Sequence, residues 1–212
     1  MEIGIIINTV PEKRYGFIEK KDGSTVFYHL SDFKNKEDKG KVKIGLVVEF
    51  DQIENEKGSK ATNIITSDKP FFIKKDFFTR TSKNAKNTNI VYRINNFTTG
   101  GYRNPIDAKQ KLIRIAQNLG FNCVLNIKKE VQKHQHKNYI YRTYSFSGDF
   151  GFGVIGNAQK EDLDVDFKKL EKQFVEFEKK ELFICETISD ERKDTSNKRP
   201  FSLFGSLMEL IK

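Results

Sequence analysis

The chain has 212 residues, 37% of them hydrophobic, enough for one large or two small domains with buried cores. Phe is abundant, with 19 residues, and Trp is absent, which excludes any Trp-based stacking surface. The net charge of +9 is uneven: residues 1–66 carry 11 Lys+Arg and 11 Asp+Glu, residues 67–160 carry 17 against 5, and residues 161–212 carry 10 against 13. The cationic middle section points to a polyanionic partner.

The first sixty-six residues read as five short strands: 3–10, 16–20, 25–30, 45–53 and 61–65. Turn signals at Pro11-Glu12, Asp22-Gly23-Ser24, Lys39-Gly40 and Glu56-Lys57-Gly58 separate them. So small an all-β unit protects its strand edges by closing into a barrel. Alternation then assigns faces. With Ile18, Val26 and Tyr28 inside, Tyr15, Phe17, Phe27 and His29 point outward together. Aromatic side chains on an outer sheet face form a platform for unpaired bases. The alternative is that these rings are covered by the second domain or by a partner.

These strands carry a resemblance. Lys13-Arg14-Tyr15-Gly16-Phe17-Ile18 is similar to the first ribonucleoprotein motif of cold-shock domains, Lys-Gly-Phe-Gly-Phe-Ile, and Val26-Phe27-Tyr28-His29 to the second, Val-Phe-Val-His. Gly4 lies at the spacing of the family's opening glycine. Val48-Glu49-Phe50 and Lys57-Gly58-Ser59-Lys60-Ala61-Thr62-Asn63-Ile64 match its close. The resemblance implies an oligonucleotide-binding (OB) barrel that holds single-stranded RNA or DNA with little sequence preference. It implies stacking by Tyr15, Phe17, Phe27 and His29, and phosphate contacts from Lys13 and Lys60. The chain departs from the family where Ile7-Asn8-Thr9-Val10 replaces Lys-Trp-Phe-Asn, and where Leu30 replaces a further Phe. Stacking contributes roughly 1–3 kcal/mol per base, so the barrel by itself is expected to bind weakly.

Residues 67–88 form a connector of net charge +4 in which Phe71-Phe72 and Phe77-Phe78 interleave with lysines. Two readings stand: a strand-binding groove, or aromatic anchors that pin the connector to a domain surface. Residues 89–185 then read as β-α-β-β-α. A strand covers 89–95. A helix is capped by Asn104-Pro105, striped by Ala108, Leu112, Ile115, Ala116 and Leu119, and stopped by Gly120. Strands follow at 121–127 and 138–146, then a glycine-rich stretch to Gly156. A second helix spans about 161–182, with a seam of Leu163, Phe167, Leu170, Phe174 and Phe177 and with Asp162, Asp164 and Asp166 near its start. The expected fold is therefore multidomain: an all-β OB-type barrel followed by an α+β domain with helices on one face of a sheet. Leu119-Gly120-Phe121-Asn122-Cys123-Val124 faintly resembles small bacterial α+β domains with a Leu-Gly-Ala-Asn-Ala-Val motif, which implies no activity.

Candidate chemistry is sparse. Gly148-Asp149-Phe150-Gly151-Phe152-Gly153 is similar to a kinase Asp-Phe-Gly triplet, but no glycine loop or catalytic-loop motif accompanies it. Phe150 and Phe152 read either as a second stacking surface or as buried rings on a glycine-kinked strand. His134 and His136, in a stretch that reads as a polar loop, would need Cys123 or Cys185 to bind a metal. No nucleophile elbow, P-loop or dinucleotide fingerprint appears, so no cofactor or metal is expected and the chain reads as a non-enzyme, with a hydrolase or nuclease in residues 89–185 left open as a third reading.

Residues 186–212 read as a polar tether ending in Pro200 and an apolar segment, 201–212, suited to docking on its own domain or on a protein partner. Two distant cysteines exclude a disulfide framework or zinc ribbon, and no apolar run approaches the roughly 18–20 residues of a membrane span. With no signal-peptide pattern, a cytoplasmic location is expected. The oligomeric state is not encoded in any pattern. The leading reading is single-stranded RNA or DNA binding, assisted by the cationic connector and second domain. The alternative is a protein-interaction module with a degenerate barrel and a C-terminal docking segment.

Overall fold

The computed structural model describes residues 1–56, 58–136 and 138–194, with side chains to residue 180 apart from that of His136. The apolar segment 201–212, the end of the tether and the Cys185 side chain lie outside the described residues.

The N-terminal unit is a closed five-stranded barrel. Its strands are β1 (Glu2–Val10), β2 (Tyr15–Lys20), β3 (Thr25–His29), β4 (Val47–Asn55) and β5 (Gly58–Thr66), in the order β1-β2-β3-β5-β4 with β4 returning to β1. Closure leaves no free sheet edge. Ile6, Ile18, Val26, Tyr28, Phe33, Val48, Phe50, Ala61 and Ile64 fill the interior. Two glycines make room for them. A Cβ at Gly4 would lie 2.5 Å from Ile18 Cγ2, and one at Gly16 would lie 2.1 Å from the Asn8 carbonyl and 2.7 Å from the Tyr28 ring. A short helix, α1 (Lys36–Lys41), lies between β3 and β4 and has no apolar stripe to announce it. It is tied down by Asp38, whose buried carboxylate accepts hydrogen bonds from Thr66 Oγ1 at 2.9 Å and Asn35 Nδ2 at 3.1 Å. Burial alone would raise the Asp38 carboxyl, but those bonds, the Thr66 N–H and the nearby Lys41 ammonium hold it below the usual carboxylate range.

The second unit is a five-stranded sheet of β6 (Phe72–Lys74), β7 (Phe78–Thr79), β8 (Asn89–Thr98), β9 (Cys123–His136) and β10 (Tyr139–Gly156). The order is β6-β10-β9-β7, with β8 also paired to β10. Helices α2 (Pro105–Asn118) and α3 (Phe167–Asp194) supply Leu112, Ile115, Phe167, Leu170 and Phe174 to one core with Phe97, Val124, Phe146, Phe150 and Phe152 of the sheet. The opposite sheet face, with Cys123 and Leu125, packs under Ala85, Phe78 and Ile90.

Several expectations are corrected. The strand expected at 138–146 is longer: the glycine-rich stretch continues β10 to Gly156, as the glycine-kinked-strand reading has it, and the small residues admit close neighbours such as Tyr92 O and Phe78. The last helix starts at Phe167, because a 3-10 turn at Lys160–Asp162 intervenes and the Asp166 carboxylate accepts the Lys169 N–H at 3.0 Å as a cap. Its backbone runs to Asp194 rather than stopping near Leu182. Residues 72–74 and 78–79 of the expected connector are strands of the second sheet, and Phe71 is buried.

The two units meet through apolar contacts. Ile3, Ile5, Ile7 and Val47 on the outer barrel wall pack against Phe71, Ile73 and Ile155. Asn157 fastens the junction: its Oδ1 accepts from Phe71 N at 2.8 Å, and its Nδ2 donates to Lys69 O at 2.8 Å.

Candidate nucleic-acid interface

The outer wall of β2 and β3 is set by strand register. Tyr15 pairs with His29 and Phe17 with Phe27, so all four side chains share one face. β1 extends both rows, placing Val10 beside Tyr15 and Asn8 beside Phe17. β5 runs parallel to β3 and sets Lys60 beside Phe27. A bulge after Ile6 makes the β1 arrangement. It leaves Ile7 unpaired, so Ile7 turns to the second unit while the adjacent Asn8 joins the aromatic face.

Tyr15, Phe17, Phe27 and His29 are all half-buried, and the interior beneath them is filled by Ile18, Val26 and Tyr28. Ring centroids are 5.5 Å apart for Tyr15–Phe27, 6.1 Å for Phe17–Phe27 and 6.2 Å for Tyr15–Phe17. The two contacts made by Phe17 are edge-on, so neither consumes a ring face in a parallel stack. Below the platform, burial raises the Tyr28 phenol to about 12, so it stays protonated at neutral pH.

The polar members of the site are more constrained than their residue types suggest. Lys60 Nζ lies 3.0 Å from Asp32 Oδ1, and the other Asp32 oxygen accepts the His29 N–H at 3.2 Å. A phosphate approaching Lys60 therefore competes with Asp32. The His29 ring accepts the Ser31 N–H at Nδ1, which leaves the proton of the neutral ring on Nε2. Lys13 is exposed, at the end of a 3-10 turn, Pro11–Lys13, that precedes Arg14. Asp32 is the residue that sequence reasoning missed. Its signal was Ser31-Asp32 directly after a strand, a composition that bonds back onto its own backbone.

Elsewhere the decoys resolve into structure. Phe150 and Phe152 are buried in the second core, and Phe150 stacks on Phe97 at 5.2 Å, so they offer no second stacking surface. Asp149 accepts the Asn96 N–H and lies 3.8 Å from Arg93. His134 belongs to β9 rather than to a loop, with its Nε2 2.7 Å from Thr143 Oγ1 and its ring on Tyr141. Cys123 is fully buried, and desolvation raises its thiol to about 12, so it is inert at neutral pH. The His136 and Cys185 side chains, the other halves of the metal reading, lie outside the described residues. Among the described residues, no group of three or more His, Cys, Asp or Glu is placed to hold a metal, and no helix is long and apolar enough to cross a membrane.

Comparison with known proteins bears on the barrel as a whole. Residues 3–67 match the family described as the 'Cold-shock' DNA-binding domain. The cold shock-like protein CspC of Bacillus cereus is 39% identical over 54 residues, covering 26% of this chain and 82% of that protein. A CspC from a second Bacillus cereus strain matches to the same extent. Through residues 3–67, the chain belongs to the cold-shock domain family of nucleic-acid-binding barrels.

Proposed function

We propose that the chain holds single-stranded RNA or DNA by stacking unpaired bases on Tyr15, Phe17 and Phe27. His29 stands at the rim, and Lys13 and Lys60 contact phosphates. The observation that carries this reading is the cluster of three half-exposed rings within 5.5–6.2 Å of one another on the outer barrel wall. The barrel, residues 1–66, has no net charge, so its phosphate attraction is small. The excess cations of residues 67–160 supply that term, and joining the two parts in one chain raises the effective concentration of one beside the other. The connector contributes through its lysines rather than its rings, because Phe71, Phe77 and Phe78 pack onto hydrophobic cores.

A second reading has its own support. Asn8 and Val10 occupy two platform positions, and Asp32 already holds Lys60, which favours a barrel face used for protein contact. One experiment separates the two. Phe17→Ala and Phe27→Ala in the full chain are expected to weaken binding of an unstructured oligonucleotide by about 1–3 kcal/mol each, with little change in melting temperature. Unchanged oligonucleotide affinity in both variants refutes stacking, and loss of protein association in its place supports the second reading.

A further inference from the structure

The paired ends of β9 and β10 leave the body of the second unit. The two strands stay in continuous register from Tyr139↔His136 to Ser147↔Lys128. Beyond the isolated bridge Tyr102↔Tyr144, no described strand borders either of them. Six residue pairs, 131–136 against 139–144, therefore form a two-stranded ribbon about 20 Å long.

Its composition is one-sided in charge. Residues 128–144 hold five Lys or Arg and one Glu. Lys128, Lys129, Lys133 and Arg142 are exposed, and the ion pairs of the described residues all lie elsewhere. Along one face, aromatic residues form a ladder. Tyr139 stacks on Tyr141 at 5.9 Å, His134 lies on Tyr141 at 4.8 Å, and the Arg103 guanidinium sits 3.9 Å above the Tyr141 ring. This ladder differs from the barrel platform. Its rings are nearly parallel, with interplanar angles of 27° and 18°, and spend their faces on one another. That arrangement stiffens the ribbon and commits the Tyr141 ring to its neighbours, while Tyr139 at the tip stays 60% exposed. On the other face, Val131 and Ile140 are 51% and 52% exposed beside Lys133 and Arg142, so this side is covered by nothing described.

We propose that this ribbon is a second nucleic-acid site, one that grips the paired phosphate backbones of a double helix. A two-stranded ribbon fits the major groove of B-form DNA, about 12 Å wide, and cations along its length face the phosphates on both sides. The apolar residues Val131 and Ile140 then meet the groove floor rather than water. The inference extends the single-strand reading: barrel and ribbon together suit a junction where a duplex opens into a single strand. The ribbon site itself does not depend on the barrel being correct.

The test uses the full chain with three probes: a short blunt-ended DNA duplex, the matching RNA duplex, and oligothymidylate. The variants are Lys133→Glu/Arg142→Glu, the milder Lys133→Gln/Arg142→Gln, and Phe17→Ala/Phe27→Ala. Both ribbon variants are expected to lose duplex affinity by about tenfold or more, and to lower the log–log salt slope by about 1–2. They keep melting temperature and lose less oligothymidylate affinity than duplex affinity, through the shared electrostatic term alone, while the barrel variant loses oligothymidylate affinity and keeps duplex affinity. Preference for the DNA over the RNA duplex supports insertion in a groove, and equal affinity supports backbone contact alone. The inference is overturned if the full chain does not bind either duplex, if the Gln variant binds duplex like the parent, or if the variants change only self-association through the free β10 edge. If the ribbon variants behave as expected but the barrel variant keeps its oligothymidylate affinity, the ribbon stands and the stacking reading falls.

Discussion

Arg14 sits in the left-handed region, with φ of 57°, where the chain leaves its 3-10 turn and enters β2. An L-residue with a Cβ costs roughly 1–2 kcal/mol there, whereas glycine adopts it freely at an entropic cost of about 0.5–1 kcal/mol. In the first motif of the cold-shock resemblance this position is glycine, so this chain trades backbone ease for a cation next to Tyr15. Arg14→Gly is expected to stabilise the protein by about 0.5–1 kcal/mol and to weaken oligonucleotide binding slightly. Thermal melting beside a binding titration checks both, and a lowered melting temperature would contradict the strain argument. Asn63 shows the contrasting case. Its φ is 51°, a conformation asparagine tolerates, and its amide reaches Asp51 Oδ2 at 3.0 Å.

At the scale of elements, the second sheet is held by one buried amide. Asn122 donates to Lys75 O at 3.0 Å and Gly153 O at 2.8 Å, and accepts the Gly153 N–H at 2.8 Å. It thereby joins the segment between β6 and β7, the start of β9 and the glycine-rich part of β10. Asn122→Ala leaves two buried backbone groups of Gly153 and the half-buried Lys75 carbonyl short of a partner and is expected to destabilise the second unit by on the order of 2–3 kcal/mol. Calorimetry would detect this, and an unchanged transition would mean that water replaces the amide. The sequence makes the α2 stripe and the Gly120 stop plain, because both follow from periodicity and backbone conformation. Strands β6 and β7 were not legible. Two- and three-residue strands carry no alternation, and only their partners β9 and β10 define them.

For the whole molecule, the division between a neutral barrel and a cationic second unit has a kinetic and thermodynamic signature. Oligonucleotide affinity of the full chain is expected to fall steeply with salt. Each phosphate contact removed by neutralising Lys or Arg within residues 67–160 should lower the log–log slope by about 0.7. Equilibrium titrations over a range of salt concentrations measure this, and a flat dependence in the parent chain would contradict the division. The full chain is the proper subject of that experiment. Excising the barrel would expose Ile3, Ile5, Ile7 and Val47, which now pack against Phe71, Ile73 and Ile155. The isoleucine at position 7, which reads in sequence as a lost basic contact, is part of this junction. Its replacement follows from what the neighbouring unit needs.

The sequence by itself determined the barrel, its five strands and the outward set of Tyr15, Phe17, Phe27 and His29, because a period of two and a few turn residues fix which side chains face the interior. Tertiary structure alone decided which of those groups are free to act. Asp32 reaches Lys60 and His29 across a turn, a bulge carries Asn8 into the platform, and β9 and β10 outrun their neighbours to leave a basic ribbon. Local pattern encodes orientation relative to one strand. Partnership and exposure depend on chain segments distant in sequence, which no local pattern records.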